Sequence, residues 1–394
     1  MKIFVLILLI LSLFLTGCWD RRELNELAIT MAMGIDKVED EYQLTAQVVV
    51  PTEISMQGST GRSSVTLFQS SGATVYEAFR KMTKDTPRKI YPGHLRILVL
   101  GEDLAKEGIG ESLELMSRDW ELRSDFYVVI ARDLTAAEVL NVTTTLETIP
   151  ANKMFGALQA SEDAWAATAS ITIDDLIADL TSEGKDAVIS GIMVLGNKEI
   201  GTSKQNVESI TPSARLQYDE IAVFKKDALV GWLTDRESRG FNKITNQVKT
   251  TVSTISCPEE GNASIEVIQF NTKVKGKVIN GTPEIDLNMQ IEANIGAVEC
   301  KIDLTKTETF AELEKIYEKE LTEVLEETIE FAQNQSVDIF GFGDAIHRSN
   351  PKEWKNLKDH WDEEFSVMKV NIKVDSNFKR MGTVDKTFLE KIKD

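Results

Sequence analysis

Few residues in this chain have types and spacings that could do chemistry. Histidine occurs three times, at His94, His347 and His360, and none lies within four residues of another histidine or of a cysteine. Zinc sites usually draw on such clusters, so the spacing gives no metal site. Ser376-Asn377-Phe378-Lys379 has the Ser-x-x-Lys spacing that sets a lysine behind a serine nucleophile on a helix. Here it closes a predicted strand, and no Ser-Asp-Asn or Lys-Thr-Gly accompanies it. Gly341-Phe342-Gly343 opens like a dinucleotide fingerprint, but position 346 is Ile where the third glycine belongs. The acidic pair Asp174-Asp175 and the glutamates of 308–330 read as solvated helix faces. Nothing here predicts a cofactor.

One residue has a definite chemical fate. Lys2 gives a positive start, Ile3 to Leu15 is apolar apart from Ser12, and the run ends in Leu15-Thr16-Gly17-Cys18. That run is too short for a bilayer span, which needs roughly 20 residues. A charged start, a short apolar centre and small residues before a cut are the layout of a signal peptide, here residues 1–17. Leu-Thr-Gly-Cys resembles the lipobox of bacterial lipoproteins. The resemblance implies that Cys18 carries diacylglycerol and becomes the first residue of the mature chain. Two acyl chains hold a protein stably at a membrane where one does not.

The rest of the chain must be held at the surface by that lipid or by partners. Formal net charge is −19, and removing residues 1–17 takes away Lys2 and no acid. Such a surface repels nucleic acid and anionic headgroups. Cys257 and Cys300 lie next to predicted strands, and an exported chain can join them. The sequence fits a disulfide and two buried thiols equally.

The elements that would position any site alternate between strand and helix. Ile29–Ile35 and Tyr42–Val50 predict a hairpin, followed by a Ser/Thr/Gly-rich mobile loop over 52–66. Thr74, Thr135 and Thr172 can each cap a helix. His94–Leu100, Asp125–Ala131 and Ala187–Leu195 read as strands, with an amphipathic helix over Glu102–Ser117 and an Ala-rich one over Ala151–Ala169. Tyr218–Phe224 and Leu229–Leu233 predict a second hairpin, after which Glu237-Ser238-Arg239-Gly240 breaks the pattern. Thr251–Ser256, Ala263–Ile279 and Glu284–Gly296 alternate as strands, the last two joined by the hairpin signal Asn280-Gly281. Phe310–Ala332 is the clearest helix. Ile339–Asp344 reads as a turn, Pro351–Phe365 as a helix, Val367–Val374 as a last strand, and 376–394 as a fraying end. The fold class is α+β, with three mixed domains in one elongated chain: an N-terminal α/β domain over 18–185, a small β-rich one over 186–260, and a C-terminal antiparallel sheet with one long helix over 261–394.

Aromatic and charged residues cluster at four places without attached chemistry: Trp19–Asn25, Tyr91–His94, Phe224–Arg239 and Phe340–Trp361. Trp and Arg are favoured at contact centres, so Trp19, Asp20, Arg21, Arg22, Glu23, Asn25, Trp232, Arg239, Phe342, Trp354 and Trp361 are candidate partner contacts. In these clusters and elsewhere the chain resembles the Ger(x)C family of spore germination lipoproteins, the C subunit of nutrient germinant receptors. The resemblance is carried by Cys18-Trp19-Asp20-Arg21-Arg22-Glu23-Leu24-Asn25-Glu26-Leu27-Ala28 and by the block from His94-Leu95-Arg96 to Lys106-Glu107-Gly108. It continues through Leu122-Arg123-Ser124-Asp125-Phe126, Ala222 to Asp227, Leu229-Val230-Gly231-Trp232-Leu233 and Glu237-Ser238-Arg239-Gly240. Asp338-Ile339-Phe340-Gly341-Phe342-Gly343 and Trp354 to Trp361 complete it. The segment 141–185 carries none of these motifs.

The resemblance implies three α+β domains of unusual fold, no enzyme activity, and a lipid anchor on the outer face of the spore inner membrane. It also implies two integral membrane partners, the A and B subunits. It assigns no germinant and no ligand residues, and leaves direct nutrient binding open. The alternative is a lipoprotein that captures a solute for a transporter. Such proteins have two lobes around a cleft, whereas the last third of this chain does not look like a second copy of the first.

Overall fold

The computed structural model describes residues 23–54, 61–258, 260–300 and 302–380. Its larger sheet is built from the N-terminal half. Strands β1 (Leu27–Val38), β2 (Glu41–Val49) and β3 (Val65–Gly72) form an antiparallel meander. The tight β1–β2 turn places Glu39 at φ 55°. Of the predicted loop, residues 55–60 lie outside the described residues. A short β4 (Lys89–Tyr91) runs parallel to the start of β1. Then β5 (Ile97–Gly101), β6 (Tyr127–Ala131) and β7 (Val188–Gly196) add to β1 in parallel, and β8 (Ala214–Lys225) and β9 (Ala228–Leu233) finish the sheet antiparallel. The strand order is β3-β2-β1-β5-β6-β7-β8-β9.

The parallel centre explains the uninterrupted apolar runs there. Leu98, Leu100, Val128 and Ile130 enter the core on one face, while Ile97, Val99, Val129 and Ala131 enter a second core on the other. A strand covered on both faces has no reason to alternate. Helices α1 (Val75–Lys81), α2 (Glu102–Glu107) and α3 (Gly110–Arg118) are followed by α4 (Ala136–Leu140), α5 (Pro150–Ala164) and α6 (Ile173–Leu180). The predicted caps hold: Thr74, Thr135 and Thr172 accept from the amides of Glu77, Glu138 and Asp175. The single helix expected over Glu102–Ser117 is two, broken at Gly108, whose φ of 133° disfavours a side chain. The β8–β9 turn seats in that break, where the Asp227 carbonyl accepts from the Ile109 amide at 2.9 Å.

The smaller sheet has the order β10-β11-β12-β13, from β10 (Thr251–Ser256), β11 (Asn262–Ile279), β12 (Thr282–Val298) and β13 (Lys369–Arg380). Asn280 and Gly281 both take positive φ, as the two-residue hairpin requires. β13 departs from the expected antiparallel pattern and lies parallel to β12. A parallel neighbour needs a crossover. Four helices supply it: α8 (Thr307–Asn334), α9 (Phe342–Ser349), α10 (Pro351–Leu357) and α11 (Trp361–Val367), with α7 (Asp235–Ile244) standing between the sheets. The long helix α8 buries Leu313, Tyr317, Leu321, Leu325 and Ile329 at four-residue spacing.

Four further expectations change. Residues 237–240 do not break the pattern but lie inside α7, and 342–344 open α9 instead of continuing a turn. β13 continues to Arg380 past the predicted fray at 376, while 381–394 lie outside the described residues. The span expected as a separate middle domain contributes β7, β8 and β9, which join the larger sheet where Ile130 pairs with Gly191. Cys257 and Cys300 are joined, tying the end of β10 to the segment after β12. The two sheets differ in size and order, so the second is no copy of the first.

Candidate functional site

The expected lipid site Cys18 and the candidate contacts Trp19, Asp20, Arg21 and Arg22 lie outside the described residues. Glu23 and Asn25 are exposed just ahead of β1, where the Asn25 amide donates to Glu23 Oε2 at 3.4 Å. The C-terminal candidates meet a different fate. Phe342, Trp354 and Trp361 are buried, so their side chains form a core and not a contact surface. Large aromatics remove the most apolar area from water, which is why this cluster closes on itself.

Asp338 organises that cluster. Its Oδ1 accepts from the amides of Phe340 at 3.2 Å and Phe342 at 3.1 Å, and its Oδ2 from the amide of Gly343 at 2.7 Å and the indole of Trp361 at 3.0 Å. Trp361 packs edge-on against Trp354, and Trp354 stacks on His347. The two glycines serve the chain path and not a phosphate. Gly341 is left-handed, with φ 72°, and Gly343 approaches the Gly184 backbone so closely that a Cβ would stand 2.6 Å from Gly184 Cα. Burial pushes the Asp338 carboxyl up to about 7, against the pull of its four donors.

The hub is tied to the larger sheet. Asp338 and Asp186 bond reciprocally: the Asp186 amide donates to the Asp338 carbonyl, and the Asp338 amide to Asp186 Oδ2, each at 2.8 Å. Lys225, at the end of β8, donates to Asp186 at 3.2 Å, to the Ser336 carbonyl at 3.0 Å and to Asp362 at 2.6 Å.

Trp232 is half-buried on β9. The Arg132 guanidinium sits 5.1 Å from its ring centroid and pairs with Asp219 and Glu220 at 2.6 and 2.7 Å. The Gly191 backbone passes beneath the ring, leaving no room for a Cβ. Each residue of Glu237-Ser238-Arg239-Gly240 has a local task. Thr234 and Glu237 make the capping box of α7. Ser238 donates to the Leu233 carbonyl at 3.2 Å. Arg239 lies 4.5 Å from the Trp165 ring centroid and donates to the Val252 carbonyl. Gly240 lets α7 meet α8.

The catalytic lookalikes come apart. Ser376 and Lys379 sit three apart on a strand, hence on opposite faces. Ser376 donates to Glu318 at 3.1 Å, and Lys379 pairs with Glu292 on the neighbouring strand. Among the described residues no three His, Cys, Asp or Glu side chains converge as a metal site would need, and no helix is long and apolar enough to cross a membrane.

Sequence reasoning placed Asp338 in a motif without giving it a task, and missed Arg132 and one surface residue, Trp120. Trp120 is 79% exposed and shares a groove with Tyr76, Arg80 and Leu115. It also faces Glu26 and Leu27, where β1 begins. A tryptophan in the polar run Arg118-Asp119-Trp120-Glu121 was the available signal.

The motifs that hold this architecture match known proteins over the whole chain. Residues 20–194 match the family described as spore germination protein N-terminal domain, and 219–382 the one described as spore germination B3/GerAC like, C-terminal. Spore germination protein KC of Bacillus subtilis is 32% identical over all of this chain and 99% of its own length. The chain belongs to the Ger(x)C family of spore germination proteins. Another Ger(x)C relative, spore germination protein B3 of Bacillus subtilis, is 25% identical over 96% of this chain and 98% of its own length. The fold is shared with the crystal structure of the GerBC protein, at a TM-score of 0.54 and 21% identity, covering 92% of this chain and all of that one.

Proposed function

We propose that this chain is the lipid-anchored subunit of a nutrient germinant receptor, held through Cys18 at the outer face of the spore inner membrane. It docks on the integral membrane A and B subunits and supports the germination signal by contact, without catalysis. The observation that carries the reading is the exposed Trp120 beside Leu27. Leu27 lies nine residues after Cys18, and an extended chain covers at most about 3.6 Å per residue, so on this reading the start of β1 stays within about 32 Å of the lipid-bearing residue. On this reading Trp120 and Tyr76 lie within reach of the membrane subunits and form the face that meets them. An exposed tryptophan flanked by an arginine is the composition of a contact centre. Family membership supplies the germination context, and the acidic body supplies no electrostatic hold on a membrane of its own.

Co-purification from detergent-solubilised spore membranes tests this. The mature protein is expected with two integral membrane subunits, and Trp120→Glu should weaken their recovery. Extraction of the wild-type protein alone, together with normal nutrient germination after its deletion, overturns the reading.

A further inference from the structure

Between α7, α8 and β10 lies a cavity of about 220 Å³. Its polar lining is unusual in what it leaves unpaired. Lys243 is 3% exposed and forms no ion pair among the described residues. Among the described residues Arg239 Nε and the Tyr317 hydroxyl are both buried without a hydrogen-bond partner, although Ser253 stands beside the hydroxyl. The carboxylates of the lining are occupied: Asp235 accepts from the Trp165 indole at 2.9 Å, and Glu320 from the Ser256 amide at 3.2 Å. Arg236 is paired with Glu327 at 2.6 Å. Two basic side chains and a phenol therefore line one space; Asp235 attracts both bases through space but forms no salt bridge with either among the described residues. Buried charge and buried donors of this kind destabilise the fold unless something completes them. The remaining wall is aliphatic, from Ile255, Leu321 and Val324.

We propose that this cavity is a binding site for a small organic carboxylate, its oxygens held by Lys243, Arg239 and Tyr317 and its aliphatic tail against Ile255, Leu321 and Val324. The volume admits a molecule of a few heavy atoms. The aliphatic wall favours an organic anion over inorganic phosphate, which has no apolar part to bury. Burial and the adjacent Arg239 push the Lys243 ammonium down to about 7. The ionisable groups around it are Arg236, Arg239 and Asp235 on α7, and Tyr317 and Glu320 on α8. A bound carboxylate would favour the charged amine, so binding above pH 7 takes up a proton. The site is independent of the Trp120 face and of whether that face docks on membrane subunits.

The test is calorimetric titration of the full mature protein in detergent with isovalerate, isovaleramide and inorganic phosphate, in two buffers of different ionisation enthalpy. Saturable binding of isovalerate with proton uptake at pH 7.5 is expected, with isovaleramide and phosphate inert. Lys243→Met and Tyr317→Phe should each weaken isovalerate by about tenfold or more, with unchanged circular dichroism. Tyr317→Phe keeps the packing volume and so serves if Lys243→Met fails to fold. The proposal is overturned if isovalerate shows no saturation up to the order of 10 mM. It is equally overturned if the amide binds as well as the acid, if phosphate alone binds, or if folded Tyr317→Phe binds like the wild type.

Discussion

Trp361 donates its indole N–H to Asp338 Oδ2 at 3.0 Å, in a space where both side chains are buried. The same carboxylate holds three backbone amides of the turn that opens α9. One acidic side chain thus sets the chain path at Gly341, the start of a helix and the position of a tryptophan 23 residues further on. Asp186 and Lys225 extend the arrangement to the larger sheet, so this carboxylate ties the crossover helices of the smaller sheet to it.

Asp338→Asn should lower stability by about 1–3 kcal/mol, since an amide nitrogen would face N–H donors that need an acceptor. The pH dependence separates charge from shape. A carboxyl raised to about 7 adds stability that is fully present below its ordinary range near 4 and is lost as pH rises through 7. Wild-type protein should therefore be more stable near pH 5 than near pH 8 by this group's contribution. Asp186 is raised by burial in the same direction, so the difference between wild type and variant isolates Asp338. Urea midpoints at the two pH values measure it, and an identical pH slope in Asp338→Asn would refute it.

Gly240 should resist enlargement. A Cβ there would stand 2.1 Å from Thr328 Oγ1 and 3.3 Å from Val324 Cγ1 on α8. Gly240→Ala should cost about 1–3 kcal/mol, because two packed helices must part. Adding Thr328→Ala to that variant removes the nearest atom and should recover part of the loss. Thermal unfolding of the two single variants and the double variant gives the coupling. Simple additivity would show that the two positions do not meet.

Much of this was readable along the chain. Thr74, Thr135 and Thr172 cap helices because the cap and its amide are three residues apart, and Asn280-Gly281 makes its turn with its own backbone. The strand runs at 97–101 and 127–131 were visible as apolar stretches. What escaped depends on partners far away in sequence. Gly240 looks like a breaker until Thr328 is placed against it, and the box of Thr234 with Glu237 was overlooked beside that glycine. Phe342, Trp354 and Trp361 resembled a contact patch because exposed and buried tryptophans look alike in one dimension. The cavity at Lys243 needs β10, α7 and α8 together, and no short motif spans all three.

The Cys257–Cys300 bond should matter for stability more than for shape. It closes a separation of 43 residues that includes both long strands of the smaller sheet. In the folded protein those strands are already paired, so the bond acts chiefly by restricting the unfolded chain. For a loop of this length the effect is about 3–4 kcal/mol. Cys257→Ser with Cys300→Ser should fold with the same circular dichroism and a lower urea midpoint. Reduction of the wild type should reproduce the shift. Two titratable thiols in the denatured, unreduced body would contradict the pairing.

Cys18→Ala should release the protein from membranes when partners are absent. The described residues contain no helix long and apolar enough to cross a bilayer, and the net charge of −19 disfavours anionic headgroups. Each buried acyl CH₂ contributes about 0.8 kcal/mol, and two chains turn marginal binding into stable anchoring. No comparable term is on hand in the acidic body, and a single exposed Trp120 is too small an apolar area to replace one. Fractionation of cells expressing only this chain should find wild type with the membranes and Cys18→Ala in the supernatant. Retention of the variant would place the anchoring on a protein surface, with the Trp120 groove the first region to probe, and Cys18→Ala combined with Trp120→Glu would then separate lipid from surface.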